Sequence, residues 1–270
     1  MKEIITSRKN PLIQRVRAAR DGREAGLIFV EGVRLCEEAM RGRVDFEFAL
    51  YTTALEENAR GARLVEELRG VCPRVLLVSD DVIESVSDTK TPQGVVAVAR
   101  RPETSSGVIG CVDETPLVVV MHRANNPLNA GAMLRVAEAA GATAAVSTKG
   151  STDLFSPKAL RGSMGSAFRV PLWTGASLED ALRVCAERGV RTVGTSVSAS
   201  KTHTEIDWTT PRAIVVGPEA GGLTEEEIRA TDERVRIPMR APVESLNVAV
   251  ALAIILYEAA RQRSFGEGKK

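Results

Sequence analysis

A chain of 270 residues with 44% hydrophobic content can bury roughly three quarters of the surface its unfolded form exposes, and that length favours two compact domains over one. The 36 Lys and Arg against 35 Asp and Glu leave a net charge of +1, so no overall field announces a nucleic-acid partner. The cysteines Cys36, Cys72, Cys111 and Cys185 stand far apart with no Cys-x-x-Cys pair, which argues against a disulfide framework or a zinc site and fits a reducing, cytoplasmic setting.

The first 23 residues carry seven basic groups (Lys2, Arg8, Lys9, Arg15, Arg17, Arg20, Arg23) against two acids (Glu3, Asp21). That excess reads either as an RNA-phosphate contact, with Arg8, Lys9, Arg15, Arg17 and Arg20 as its members, or as a solvated helix face. It lacks the charged-then-apolar pattern of a signal peptide. From there helical and extended patterns alternate: Pro11–Arg20 helix, Leu27–Val30 strand, Val33–Arg41 helix, Phe46–Tyr51 strand, Ala59–Arg69 helix, Val75–Ser79 strand, a short helix from Asp81, and Val95–Ala99 strand. This predicts a small α/β domain over 1–104, followed by the turn-rich segment Arg101 to Gly107.

A second alternation, over 116–270, opens on the fully apolar strand Leu117–Met121, the kind buried on both faces of a parallel sheet. Helices are expected at Ala130–Ala140, Ser156–Phe168, Leu178–Arg188, Glu225–Ala230 and from Ser245 to about Arg263, with strands at Ala144–Ser147, Thr192–Ser196, Ala213–Val216 and Val235–Ile237. The apolar stretch Val248 to Leu256 is too short to span a bilayer, which takes roughly 18 residues, and reads as a buried helix. Its start reads as capped by Ser245, with Leu246, Val250, Ile254 and Tyr257 facing the core.

Three strand-end segments carry the chemistry. Asn125-Asn126-Pro127-Leu128-Asn129-Ala130-Gly131-Ala132-Met133-Leu134-Arg135 follows the first apolar strand; taken alone, Asn129 is a helix cap and Arg135 a surface charge. Val216-Gly217-Pro218-Glu219-Ala220-Gly221-Gly222-Leu223-Thr224 is a glycine-rich turn with Thr224 capping the next helix, but it lacks the Gly-x-Gly-x-x-Gly or Lys-Ser/Thr of nucleotide-phosphate loops. The third, Ile237-Pro238-Met239 to Ser245-Leu246-Asn247-Val248, joins a strand to the last helix. Ligands in open parallel sheets bind at such strand ends.

In this order, each at the end of a predicted strand, the three segments resemble the motifs of the SpoU (TrmH-type) RNA ribose methyltransferases of the SPOUT superfamily. Ile5 to Pro11, Phe29-Val30-Glu31-Gly32 and Thr91-Pro92-Gln93-Gly94-Val95 look similar to the substrate-binding domain that precedes it in many such enzymes and resembles kink-turn-binding ribosomal proteins. The resemblance implies an α/β fold in which a small N-terminal RNA substrate-binding domain precedes a parallel-sheet SPOUT domain with a C-terminal trefoil knot, a known exception to the rule against knots. It implies a homodimer, no metal, and methyl transfer from S-adenosylmethionine (AdoMet) to a ribose 2′-hydroxyl. His122 and Asn126 depart from the pattern, standing where relatives often have acids.

Carried over residue by residue, the resemblance places AdoMet against Gly217, Ile237 and Leu246, flanked by Thr195 and Ser196, and gives catalytic work to Arg135, Asn129, Glu219, Ser245 and Asn247. Arginine loses its proton only above about pH 12, so Arg135 is read as an anchor for a phosphate beside the target ribose rather than as a base. Asn129, Glu219, Ser245 and Asn247 would orient it. The domain type points to large-subunit ribosomal RNA ahead of transfer RNA. A non-catalytic RNA-binding protein on the same fold is the alternative from another class, and AdoMet titration separates the two.

Overall fold

The computed structural model describes residues 4–110 and 115–263, so Lys2, Glu3 and Cys111 lie outside the described residues. By its packing the chain divides into two compact units, Met1–Glu103 with Phe155–Phe168, and Thr104–Leu154 with Arg169–Lys270.

The first unit contains β1 (Ile4–Ile5), α1 (Pro11–Arg20), β2 (Leu27–Glu31), α2 (Val33–Arg41), β3 (Phe46–Tyr51), α3 (Thr53–Glu56), α4 (Ala59–Val71), β4 (Val75–Val78), α5 (Asp80–Val86) and β5 (Val95–Arg100). Its five-stranded sheet runs β1-β4-β3-β5-β2, parallel on the β1-β4-β3 side and antiparallel on the β3-β5-β2 side. Asn10 starts α1, accepting from Leu12 N at 2.9 Å with Pro11 at the first helical position. Every third or fourth residue, Ile13, Val16 and Ala19, then packs against Phe29, Phe48, Val96 and Val98 of the sheet. The helix α2 has no cap of its own: Gly32, at φ +96°, leaves that task to Gln93, whose Oε1 accepts from Val33 N at 2.9 Å. A Cβ on Gly32 would come within 2.9 Å of that oxygen. The paired Glu31-Gly32 and Gln93-Gly94 segments are therefore joined to each other.

The second unit contains β6 (Leu117–Met121), α6 (Pro127–Ala139) and β7 (Ala144–Thr148); after α7 (Pro157–Ser163), which belongs to the first unit, come β8 (Leu172–Ala176), α8 (Leu178–Glu187), β9 (Arg191–Thr195), β10 (Lys201–Thr202), β11 (Arg212–Val216), α9 (Glu225–Arg229), β12 (Glu233–Arg236) and α10 (Val248–Gln262). All pairings in the sheet β10-β12-β9-β11-β6-β7-β8 are parallel. As the unbroken apolar run predicts, every residue of β6 is fully buried.

Four expectations are corrected. The helix expected over Ser156–Phe168 ends at Ser163, because Met164 takes the left-handed conformation at φ +50° and a short 3₁₀ turn follows at Ser166–Phe168. A strand appears at β8, where Gly175 and half-exposed Trp173 and Thr174 on a sheet edge left little apolar signal. Helix α6 begins at Pro127, capped by Asn126 rather than Asn129. Helix α10 begins at Val248 and is capped by Asn247, whose Oδ1 accepts from Ala249 N at 2.9 Å and Val250 N at 3.4 Å, while Ser245 is exposed and outside the helix.

The stripe assigned to the core is also displaced. Helix α10 buries Ala249, Leu252, Ile255, Leu256, Ala259 and Ala260, and packs on α6, whereas Leu246, Val250 and Tyr257 are 37%, 50% and 48% exposed. The helix is apolar nearly all round, so periodicity alone could not choose its inner face. Its C-terminal end is fixed by Arg263, which donates to four carbonyls: Trp208 O at 2.6 Å, Thr115 O at 2.7 Å, Thr210 O at 2.9 Å and Pro116 O at 3.1 Å. Burial lowers the Arg263 pKa from its ordinary value.

Losing a helix cap costs about 0.5–2 kcal/mol. Asn247→Ala should therefore destabilise the protein by about 1 kcal/mol in urea unfolding, while Ser245→Ala leaves the midpoint unchanged. A larger loss in the serine variant would move the cap back to Ser245.

Candidate active site

Parallel strands deliver the segments that follow them to one edge of the sheet. The register pairs Met121 with Val216, Val215 with Gly194 and Val235 with Thr195, so β6, β11, β9 and β12 end close to level. The chain runs outward from β6 through β7 to β8, and later fills the other side with β9, β12 and β10, leaving a switch in direction between β6 and β11. Such switch points open a crevice at the carboxyl ends of the strands.

All three motifs meet there. Asn247 Nδ2 donates to Asn129 Oδ1 at 3.0 Å, and Asn129 Nδ2 donates to Glu219 Oε1 at 3.2 Å. The segment after β6, the glycine turn after β11 and the loop before α10 are thus tied by side chains separated by 90 and 118 positions. Glu219 and Asn247 are exposed and Asn129 is half-buried, so the row borders open space. Arg135 is also exposed and makes no hydrogen bond or ion pair among the described residues; it is not tied into the row. Ser245 likewise stands outside it.

The glycine turn is shaped by close approach. Gly217 is buried, and a Cβ there would fall 2.4 Å from Leu223 N, so the turn folds back over its own start only with glycine at this place. The turn then passes into α9, where Thr224 and Glu227 form a reciprocal capping box: Glu227 N donates to Thr224 Oγ1 at 3.2 Å, and Thr224 N to Glu227 Oε2 at 2.8 Å.

Of the residues read as cofactor contacts, Thr195, Ser196, Gly217 and Ile237 emerge at the ends of the adjacent strands β9, β11 and β12, and Leu246 comes from the loop before α10. Thr195, the last residue of β9, donates from Oγ1 to Val215 O at 3.2 Å, and Ser196 N donates to Val235 O at 2.9 Å, which continues the sheet by one step. Ile237 is half-buried and Leu246 partly exposed, so both keep apolar surface open.

The basic N-terminal side chains separate into two groups. Arg17 donates to Ser85 Oγ at 2.8 Å, Arg8 O at 3.3 Å and Ser85 O at 3.4 Å; Arg20 donates to Asp21 at 2.8 Å and to the carbonyls of Val86 and Ser87. Arg15 pairs with Glu47 at 2.6 Å and Glu24 at 3.5 Å. These three serve the fold of the first unit. Arg8, 3.6 Å from Asp81, and Lys9 are exposed, and the Lys9 ammonium has no ion pair among the described residues.

Asn126 is the residue whose importance the sequence pattern understates. Its signal was the following proline, which belongs at the first position of a helix and makes the preceding Asn the natural cap.

Comparison with known proteins shows the family. The model of the SpoU rRNA Methylase family matches residues 116–257, and that of an MRM3-like substrate binding domain matches residues 10–97. An uncharacterized tRNA/rRNA methyltransferase of Synechocystis is 32% identical over 262 residues, covering 96% of this chain and 94% of the relative. The 23S rRNA (guanosine-2′-O-)-methyltransferase RlmB of Ralstonia nicotianae is 34% identical over 217 residues, covering 77% and 86%. Among solved structures, the SpoU methyltransferase AviRb of Streptomyces viridochromogenes in complex with the cofactor AdoMet superposes with a TM-score of 0.85 at 29% identity, over 96% of this chain and all of that one. With one family model spanning the parallel-sheet unit and similarity running the length of the chain, this protein belongs to the SpoU rRNA methylase family.

Proposed function

We propose that the chain transfers a methyl group from AdoMet to the 2′-hydroxyl of a guanosine ribose in large-subunit ribosomal RNA. The observation that carries this reading is the hydrogen-bonded row Asn247–Asn129–Glu219, which brings the three motifs to one strand-end crevice. The named activity of RlmB and the match to an MRM3-like substrate binding domain support the RNA class.

The crevice suits AdoMet. Added Cβ atoms at Gly221 and Gly222 meet nothing within 4 Å, so the glycine turn borders open space, and Ile237 and Leu246 keep apolar surface exposed. Thr195, Ser196, Gly217, Ile237 and Leu246 would hold the adenosine and methionine parts. AdoMet supplies a methyl already activated on a sulfonium, so the protein's task is alignment of the acceptor oxygen. Arg135, with its donors uncommitted among the described residues, grips a phosphate next to the target ribose through its planar fork. Asn129 and Glu219 hold the ribose and the glycine turn, Asn247 fixes Asn129, and Ser245, exposed in the adjoining loop, offers its hydroxyl to the substrate.

The same reading includes a C-terminal segment threaded as a trefoil knot, a cytoplasmic site of action and a homodimer. The exposed side chains Val250 and Tyr257 support the dimer, since they lie seven positions apart, two helical turns along one side of a helix whose other side is already buried.

Mapping 2′-O-methyl groups in ribosomal RNA from a strain lacking the gene should show one guanosine site lost from the large-subunit RNA; an unchanged map overturns the substrate assignment. In vitro, Arg135→Ala should keep AdoMet affinity within about twofold while turnover drops about 100-fold or more, and Arg135→Lys should recover little because it lacks the fork. Wild-type turnover in Arg135→Ala removes the residue from the mechanism.

Neutralising Arg8 and Lys9 together should weaken RNA binding and lower the slope of log affinity against log salt by about 0.7–0.9 for each phosphate no longer neutralised. Neutralising Arg17 and Arg20 should instead lower the melting temperature. An unchanged salt slope in the first variant means that the exposed pair is only solvated.

Sedimentation should give twice the 29.0 kDa chain mass, reduced to a monomer by Val250→Glu with Tyr257→Glu. A monomeric wild type sinks the assembly reading.

A further inference from the structure

Immediately before the first motif the chain makes a second connection to the second. His122, 5% exposed, extends β6 by donating its N–H to Val216 O at 2.9 Å, and its ring lies between Thr148 and Glu227. Arg123 follows in the left-handed conformation at φ +48°, a backbone state that a non-glycine residue keeps only where its surroundings hold it. They do: its N–H donates to Thr148 Oγ1 at 3.0 Å, its Nε to His122 Nε2 at 2.7 Å, and its Nη2 to Glu227 Oε1.

Nε2 of His122 lies 2.7 Å from the donor Arg123 Nε and 3.0 Å from the acceptor Glu227 Oε1, and Nδ1 lies 3.0 Å from Thr148 Oγ1, so every polar atom of the ring has a partner. The Thr148 hydroxyl in turn points to Lys149 O at 3.4 Å. The fork that usually grips one carboxylate here grips an imidazole nitrogen and a carboxylate oxygen together. Burial would raise the Glu227 pKa, but the Thr224 amide and the neighbouring imidazole and guanidinium outweigh it and hold the carboxyl below its usual range. That carboxylate is also the capping residue of α9, and the cap ends the turn that carries Glu219.

The segments 122–129 and 219–227 are therefore joined twice, at the crevice by Asn129 and Glu219 and behind it by His122, Arg123 and Glu227. We propose that the rear connection is a clamp that sets the position of Asn129 relative to Glu219, and that His122 and Glu227 are positioning residues for methyl transfer. This rests on the reading of the Asn247–Asn129–Glu219 row as the active site. The single exposed bond between Asn129 and Glu219, 3.2 Å long, does not by itself fix two strand-end loops. The clamp adds a charge-assisted connection between the same loops, in which the His122 side chain is 7% and that of Glu227 14% exposed while Arg123 reaches in from the surface at 51% exposed. A displacement of about 1 Å at a reacting centre costs about 100-fold in rate, so the clamp is expected to show itself in turnover.

The test uses the full chain, tritiated AdoMet and total ribosomal RNA from the deletion strain. His122→Ala and Glu227→Gln should each lower kcat about tenfold or more, with the KM for RNA and the Kd for AdoMet within about twofold of wild type. Glutamine is an acceptable capping residue, so Glu227→Gln keeps α9 and removes the charge. His122→Gln supplies an amide that can accept from Arg123 and donate to Glu227, and should recover kcat to within about threefold of wild type. If His122→Ala does not fold, Glu227→Gln decides by the same criterion. Wild-type kcat in the variants, with Asn129→Ala inactive, overturns the clamp and leaves the site reading intact; wild-type kcat in Asn129→Ala overturns the site reading beneath it. A raised KM for RNA at unchanged kcat also overturns the clamp, because it makes these residues RNA contacts.

Discussion

Two asparagines compete for one task at the start of α6, and the outcome organises the crevice. The first amides of a helix need an outside acceptor. Asn126 supplies it, at 2.9 Å to Leu128 N, because Pro127 takes the first helical position. Asn129 is thereby left one turn inside, with its amide uncommitted to its own helix. An amide is both donor and acceptor, which is what a place between Asn247 and Glu219 requires. Asn247 has spent its oxygen on the cap of α10 and can only donate; an ionised Glu219 can only accept. The row has one direction, from the α10 amides through Asn247 and Asn129 to Glu219. Aspartate at position 247 would cap equally well but would have no donor to give Asn129.

Net hydrogen-bond strengths of about 0.5–1.5 kcal/mol cannot hold three loops in place against chain entropy. The sheet does that work. Seven parallel strands with buried neighbours fix where each loop begins, and α10, packed on α6 and tied at its far end by Arg263 to four carbonyls, fixes where the last one finishes. Each interaction at the crevice then selects among positions that the scaffold has already narrowed.

How much of this was legible in the residues depends on how strongly burial marks a segment. The strands β6, β9, β11 and most of the helices were readable because they are buried on both faces or along one stripe, and the strand-end location of all three motifs followed from them. The edge strand β8 was not, since Trp173 and Thr174 are half-exposed and Gly175 interrupts the run. Nor was the inner face of α10, because Leu246, Val250 and Tyr257 carry the same apolar signal as Leu252 and Leu256. The caps were misplaced by two or three residues at both α6 and α10, where several Ser and Asn side chains stand close together and only the fold chooses among them. His122 and Arg123 had no readable role at all: their partners, Thr148 and Glu227, lie 26 and more than 100 positions away.

Charge shows the same limit from another side. The basic excess of the first 23 residues suggested a surface turned toward phosphate, yet most of the guanidiniums among them are spent on carbonyls and carboxylates of their own unit. A residue that recognises phosphate must still have donors to give. By that standard the count of arginines overstates the attraction for RNA, and with a net charge of +1 the chain has little long-range field to compensate. Among the described residues the cations with donors still to give are few, Lys9 and Arg135 among them, and their placement counts for more than the total of basic residues.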